Sequence, residues 1–111
     1  MEGGSILTWV DGEIRFDLDL RVYRLAAVQR AGYRLARQCT ARLGSPDGDT
    51  LPVALAFPEG TAEAAARAAA RRFFQELLDQ ELREKVRDET AQVRALLMAV
   101  AFSRTGLAPR E

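Results

Sequence analysis

The first regular pattern along the chain is strict alternation. Ile14, Phe16, Leu18 and Leu20 occupy every second position with Arg15, Asp17 and Asp19 between them, which predicts a strand with one buried and one wet face. Just before it, Ile6-Leu7-Thr8-Trp9-Val10 is a second β-prone run. The Asp11-Gly12 pair between the two favours a two-residue hairpin turn, because both central positions need positive φ. From about Arg21 the period lengthens. Leu25, Val28, Gly32 and Leu35 recur at helical spacing, with Tyr23, Ala27, Ala31 and Ala36 widening the stripe, so a helix is expected to about Gln38. Residues 39–43 and 50–57 read as a strand pair around the turn Gly44-Ser45-Pro46-Asp47-Gly48-Asp49, with Leu51, Val53, Leu55 and Phe57 on one face. Pro52 has no N–H to donate, so it puts its strand at a sheet edge, or itself near the strand's start.

Pro58-Glu59-Gly60-Thr61 ends that strand, and Thr61 can cap a long helix whose first turn carries Glu63. The alanine-rich run 62–70 favours helix intrinsically, and Phe73, Phe74, Leu77, Leu78, Leu82 and Val86 continue it at three- and four-residue steps. Asp88 or Thr90 offers a fresh N-cap for a last helix to about Ser103. The order is β-β-α-β-β-α-α. This is an α+β fold: a small antiparallel sheet covered on one face by helices, with a long second helix and an apolar C-terminal helix. A length of 111 residues suits a single domain, with its core over about 6–104 and a mobile tail over 105–111.

Composition narrows the chemistry. Sixteen basic residues balance sixteen acidic ones, so no overall field draws nucleic acid, and electrostatic binding must come from local patches. No apolar run is long enough to span a membrane. The start Met1-Glu2-Gly3-Gly4 lacks the basic and apolar regions of a signal peptide, and the single Cys39 cannot form an internal disulfide; both fit a reducing cytoplasm. With no histidine, triads and imidazole–zinc sites are absent. Cys39 without a histidine partner reads as a small core side chain, and the single lysine, Lys85, as a surface charge in a helix. No catalytic residue, metal ligand or cofactor is assigned. The composition points to binding or assembly, not to an enzyme.

Three features bear on what is bound. Residues 21–42 hold Arg21, Arg24, Arg30, Arg34, Arg37 and Arg42 with no acid, after a first stretch of 20 residues that is mostly acidic. Arg30, Arg34 and Arg37 share one helical stripe; they suit an acidic peptide or phosphates, or form a solvated face balanced by Glu76, Asp79 and Glu84. Apart from Tyr33 no aromatic residue interleaves with them, which disfavours nucleic acid. In Glu76–Arg87, Glu76/Gln80, Asp79/Arg83 and Glu81/Lys85 fall one turn apart and read as surface pairs, and the carboxylates lack the histidine partners of a helical metal site. Outward acids on the second strand (Glu13, Asp17 and Asp19) admit a carboxylate hydrolase or isomerase, with solvent-facing charges as the simpler account. Finally, Ala95-Leu96-Leu97-Met98-Ala99-Val100-Ala101-Phe102 is apolar on every side. Either other helices bury it completely or part of it meets another chain; a domain this small cannot readily hide such a rod, which favours an interface, with Met98 and Phe102, on the face away from Val93, Leu97 and Val100, as the contact residues.

The segment Glu76-Leu77-Leu78-Asp79-Gln80-Glu81-Leu82-Arg83-Glu84 resembles the leucine-leucine-asparagine-aspartate-tyrosine-x-leucine-arginine-glutamate signature of the HxsD proteins of the His-Xaa-Ser system. Leu77, Asp79, Leu82, Arg83 and Glu84 match it; Glu76, Leu78 and Gln80 depart. Asp88-Glu89-Thr90 and Ala101-Phe102-Ser103 look like that family's C-terminal helix, and Tyr23-x-Leu25-x-Ala27-Val28-x-x-Ala31-x-Tyr33 is similar to its first. The resemblance covers about residues 14–104. It implies a cytoplasmic, non-enzymatic accessory protein working beside two radical S-adenosylmethionine maturases, which would hold the iron–sulfur clusters that one cysteine cannot. Its partners would be a maturase, the substrate peptide, or both, with a homo-oligomer also open. The alternative is a homodimeric regulator or nucleic-acid-binding protein using the arginine-rich first helix.

Overall fold

A computed structural model describes residues 7–105, with side chains to Ser103. The elements run β1 (Thr8–Val10), β2 (Glu13–Asp19), α1 (Leu25–Arg34), β3 (Thr40–Leu43), β4 (Thr50–Ala56) and α2 (Glu63–Thr105). All strand pairs are antiparallel, in the sheet order β1-β2-β4-β3. The expected first strand residue Ile6 and the tail beyond Thr105 lie outside the described residues.

The β1–β2 hairpin turns on Asp11 and Gly12, with φ of 53° and 76°, as the dipeptide requires. Across β2 and β4, Ile14 sits opposite Leu55, Phe16 opposite Val53, and Leu18 opposite Leu51. Period two therefore puts all six side chains on one face, where they are buried. Onto this face pack Ala27, Val28 and Ala31 of α1, and Ala66, Ala70, Phe73 and Leu77 of α2. Phe16 meets Phe73 and Phe74 with ring centroids 5.8 and 4.9 Å apart. Gly32 lets α1 approach β3: a Cβ there would come within 2.9 Å of the Ala41 Cβ.

Three expectations change. α1 begins at Leu25, not Arg21, because the Asp19 carbonyl accepts the Val22 and Tyr23 N–H groups at 2.9 and 3.0 Å and closes a turn there. It ends at Arg34, not Gln38. The Gln38 and Cys39 N–H groups both donate to the Leu35 carbonyl, at 2.9 and 3.1 Å, and turn the chain into β3. Neither Asp88 nor Thr90 starts a new helix: α2 runs unbroken from Glu63 to Thr105. No glycine or proline interrupts that stretch, and a mid-helix Asp or Thr costs only about 0.7 kcal/mol, too little to stop a helix.

For Pro52 the second of the two expected placements holds. Its strand lies between β2 and β3, away from either edge, and the proline stands near the start of that strand. The proline is tolerated near the start of β4 because of where its lateral groups point. Its carbonyl accepts the Gly44 N–H at 2.8 Å, so its missing N–H faces the position just after β3 ends.

The chain forms two compact units, one ending at Glu81 and one beginning at Leu82. The sheet, α1 and the first half of α2 make the first. The described part of the second is helical throughout.

Candidate docking surfaces

In the second unit the apolar residues face water. Val93, Leu96, Leu97, Met98 and Val100 are between 47% and 65% exposed, and Leu82 and Val86 lie in the same range. A lone helical segment has no second layer of its own under which to hide apolar side chains. Val86, Val93 and Val100 recur every seven residues, with Leu82 four before the first and Leu96 between the last two, so these exposed positions share one seam, interrupted at Glu89. Beside it, Leu82, Val86 and Ala91 floor a groove edged by Arg83, Arg87 and Arg94. Met98 is 51% exposed and Phe102 half-buried, while Val93, Leu97 and Val100, placed on the opposite face, are about as open as Met98. Exposure therefore extends around the helix and is not confined to the Met98–Phe102 face.

The arginine stripe does not survive as one helical face. Arg30 and Arg34 are exposed on α1, whereas Arg37 lies past its end. Arg34 reaches Glu76 of α2 at 3.4 Å, and Glu76 also accepts the Gln80 side-chain amide at 2.8 Å, the one-turn contact the sequence suggested.

Of the signature positions, Leu77 is fully buried in the core and Asp79 is half-buried; Leu82 and Arg83 are exposed, and Glu84 is buried and holds Arg87 at 2.7 Å. Leu77 thus supports the fold, while Leu82 and Arg83 line the open groove.

Glu81 behaves unlike its sequence reading. Instead of a surface partner for Lys85, it is buried, and accepts the Arg24 backbone N–H at 3.1 Å and the Arg24 guanidinium at 3.2 Å. No local signal could have found this pair, which spans 57 residues of sequence.

The outward acids of β2 are already engaged. Arg21 forks Asp19 at 2.8 and 3.0 Å, and Glu13 accepts from Arg15 at 3.0 Å and also from Arg42. The Arg21 contacts hold the Asp19 carboxyl below the usual range, and those of Arg15 and then Arg42 do the same for Glu13. A general acid or base working near neutrality needs a raised carboxyl pKa, so this geometry does not favour carboxylate catalysis. Cys39 is buried and its thiol is pushed up by desolvation, the setting of a structural cysteine. Among the described residues no cluster of three metal-capable side chains occurs, and no helix is long and apolar enough to cross a membrane.

The family model for His-Xaa-Ser system protein HxsD matches residues 18–108. The chain belongs to the HxsD family. The match takes in both helices, β3, β4 and the signature segment, so the likeness read from Glu76–Glu84 extends over most of the fold. No curated protein and no solved structure matches the chain.

Proposed function

We propose that this HxsD-family protein is a cytoplasmic, non-enzymatic accessory subunit of a radical S-adenosylmethionine peptide-modification system, binding a maturase, its substrate peptide, or both. The observation that carries the reading is the apolar seam of the second unit. Val93, Leu96, Leu97 and Val100 hold their side chains in water at a cost that burial against a partner would recover, about 25 cal/mol per Å² of apolar surface covered. Family membership supplies the setting in which to look for that partner.

The test is co-purification with the radical S-adenosylmethionine maturases of a His-Xaa-Ser system. Retention at micromolar concentration that is lost in a Met98→Asp/Phe102→Asp double variant supports the reading; failure of every maturase to be retained, with and without the repeat peptide, refutes it.

A further inference from the structure

We propose that a recess at one end of the sheet, between the α1–β3 connection and the end of β4, receives the C-terminal carboxylate of a peptide whose last side chain is small and apolar. The recess holds about 270 Å³ and is lined by the polar residues Arg37, Gln38 and Thr40 and by the apolar Ala56, Phe57 and Pro58. Backbone bonds shape it. The Gln38 and Cys39 N–H groups both donate to the Leu35 carbonyl, which bends residues 36–38 around before β3 begins at Thr40. Thr40 pairs with Ala56, the last residue of β4. Phe57 beyond it is held by the Gly12 carbonyl, which accepts its N–H at 3.1 Å, and by the Trp9 ring, 6.2 Å away.

The cations at this end of the fold are not neutralised. Arg34 is taken by Glu76, Arg42 by Glu13 and Arg67 by Glu63, but among the described residues no carboxylate pairs with Arg37 or Arg72. Glu59, the residue after Pro58, forms no ion pair with either. Arg72 is held instead by a neutral group: the Gln38 side-chain oxygen accepts its Nε at 3.1 Å and its Nη2 as well. An amide orients a guanidinium without cancelling its charge. That charge is felt in the recess. Cys39 also lines it, and Arg72 draws the Cys39 thiol down against the larger upward push of desolvation.

Shape and charge select the occupant. Arg37 lines the recess directly and Arg72 stands behind Gln38, a setting for a singly charged group. With its oxygen committed to Arg72, Gln38 has its amide nitrogen left to donate beside the Arg37 guanidinium and the Thr40 hydroxyl, and a carboxylate accepts from all three. The volume is near the lower end for ligand sites, about 300 Å³, which suits one residue's end. The apolar walls would cover that residue's side chain, and a bare phosphate has none to offer them. The inference deepens the peptide-binding half of the proposed function and rests on that reading only for the source of the peptide.

The probe is N-acetyl-Gly-Ser-Val with a free C-terminus, titrated into the isotope-labelled full chain and followed by NMR. The same peptide as its C-terminal amide and inorganic phosphate are the comparisons. The expected result is saturable shifts confined to the amides of residues 36–40 and 56–58, with binding weakened by salt. Amidating the peptide, or Arg37→Gln, should weaken binding about tenfold or more by removing a charged hydrogen bond. Arg37 is exposed and lies past the end of α1, so the variant should keep the fold; should it not, the amidated peptide on the unaltered chain decides. Equal binding of acid and amide, unchanged affinity in a folded Arg37→Gln, no shifts with the free acid, or phosphate bound as tightly as the peptide would each overturn the inference. Peptide bound with no maturase retained would instead count against the proposed function alone.

Discussion

The carboxylate of Glu81 takes the place of a cap at the start of α1. One oxygen accepts the Arg24 backbone N–H at 3.1 Å, and the other accepts the same residue's guanidinium at 3.2 Å. Arg24 is the N-cap and supplies no side-chain acceptor of its own, and the first turn of α1 holds no acid. A negative charge from α2 therefore meets the N-cap N–H and the positive end of the helix dipole. Glu81→Ala should destabilise the protein by about 1.5–3 kcal/mol, the range for hydrogen bonds to a charged group. The Arg24 side chain is 37% exposed, so most of that loss belongs to the backbone bond, and Arg24→Ala should cost less. Chemical denaturation of the two variants measures the difference.

Gly32→Ala sets helix propensity against packing. On an exposed helix the change would gain about 1 kcal/mol. Here the new methyl would stand 2.9 Å from the Ala41 Cβ, so α1 must lift from β3 and the variant should unfold at lower temperature. Adding Ala41→Gly should recover much of the loss. A double-mutant cycle that shows the two changes to be additive would rule out the contact as the cause.

Cys39 should react slowly. It is 5% exposed, and desolvation keeps its thiol protonated beyond the usual range, with Arg72 opposing the shift only in part. Alkylation by iodoacetamide should be slow in the folded protein and rise to the rate of an ordinary thiol in denaturant.

Acid should loosen the β2 ends. Glu13 and Asp19 have folded pKa values below their ordinary ones, chiefly through hydrogen bonds from Arg15 and Arg21 respectively. Their contribution is thus complete above the unfolded carboxyl range, about pH 4, and is lost as pH falls through the lower folded values. Thermal unfolding followed from neutral to acidic pH should show a flatter acid limb in Glu13→Gln/Asp19→Asn than in the parent.

Leu97→Asp separates interface from core. Leu97 is 63% exposed, so the variant should lose no more than about 0.7 kcal/mol, the propensity difference in a helix. The same change at the buried Leu77 should unfold the protein. Circular dichroism during heating distinguishes the two, and Leu97→Asp should lose maturase retention while staying folded.

Local chemistry made much of this legible in advance. The alternation of Ile14, Phe16 and Leu18 named the buried face of β2, Asp11-Gly12 named its turn, and the six-residue break after Leu43 named the second hairpin. The run Ala95–Phe102 announced apolar side chains on every side of the helix, and Leu96, Leu97, Met98 and Val100 in it are open to water. The ends of α1 were missed by four residues on each side, because they are set by backbone bonds to Asp19 and Leu35 that leave no mark on side-chain periodicity.

By itself, then, the sequence determined the strands and first helix in outline, the inward face of the sheet and the family, since each depends on residues a few positions apart. Tertiary structure alone decided that β4 runs between β2 and β3, that β1 and β3 form the two edges of the sheet, and that Glu81 serves Arg24 instead of Lys85. Those outcomes depend on which distant segments share one core. Burial and hydrogen-bond satisfaction select among the possible pairings only once the whole chain has closed on itself, and no repeat along the sequence records that choice.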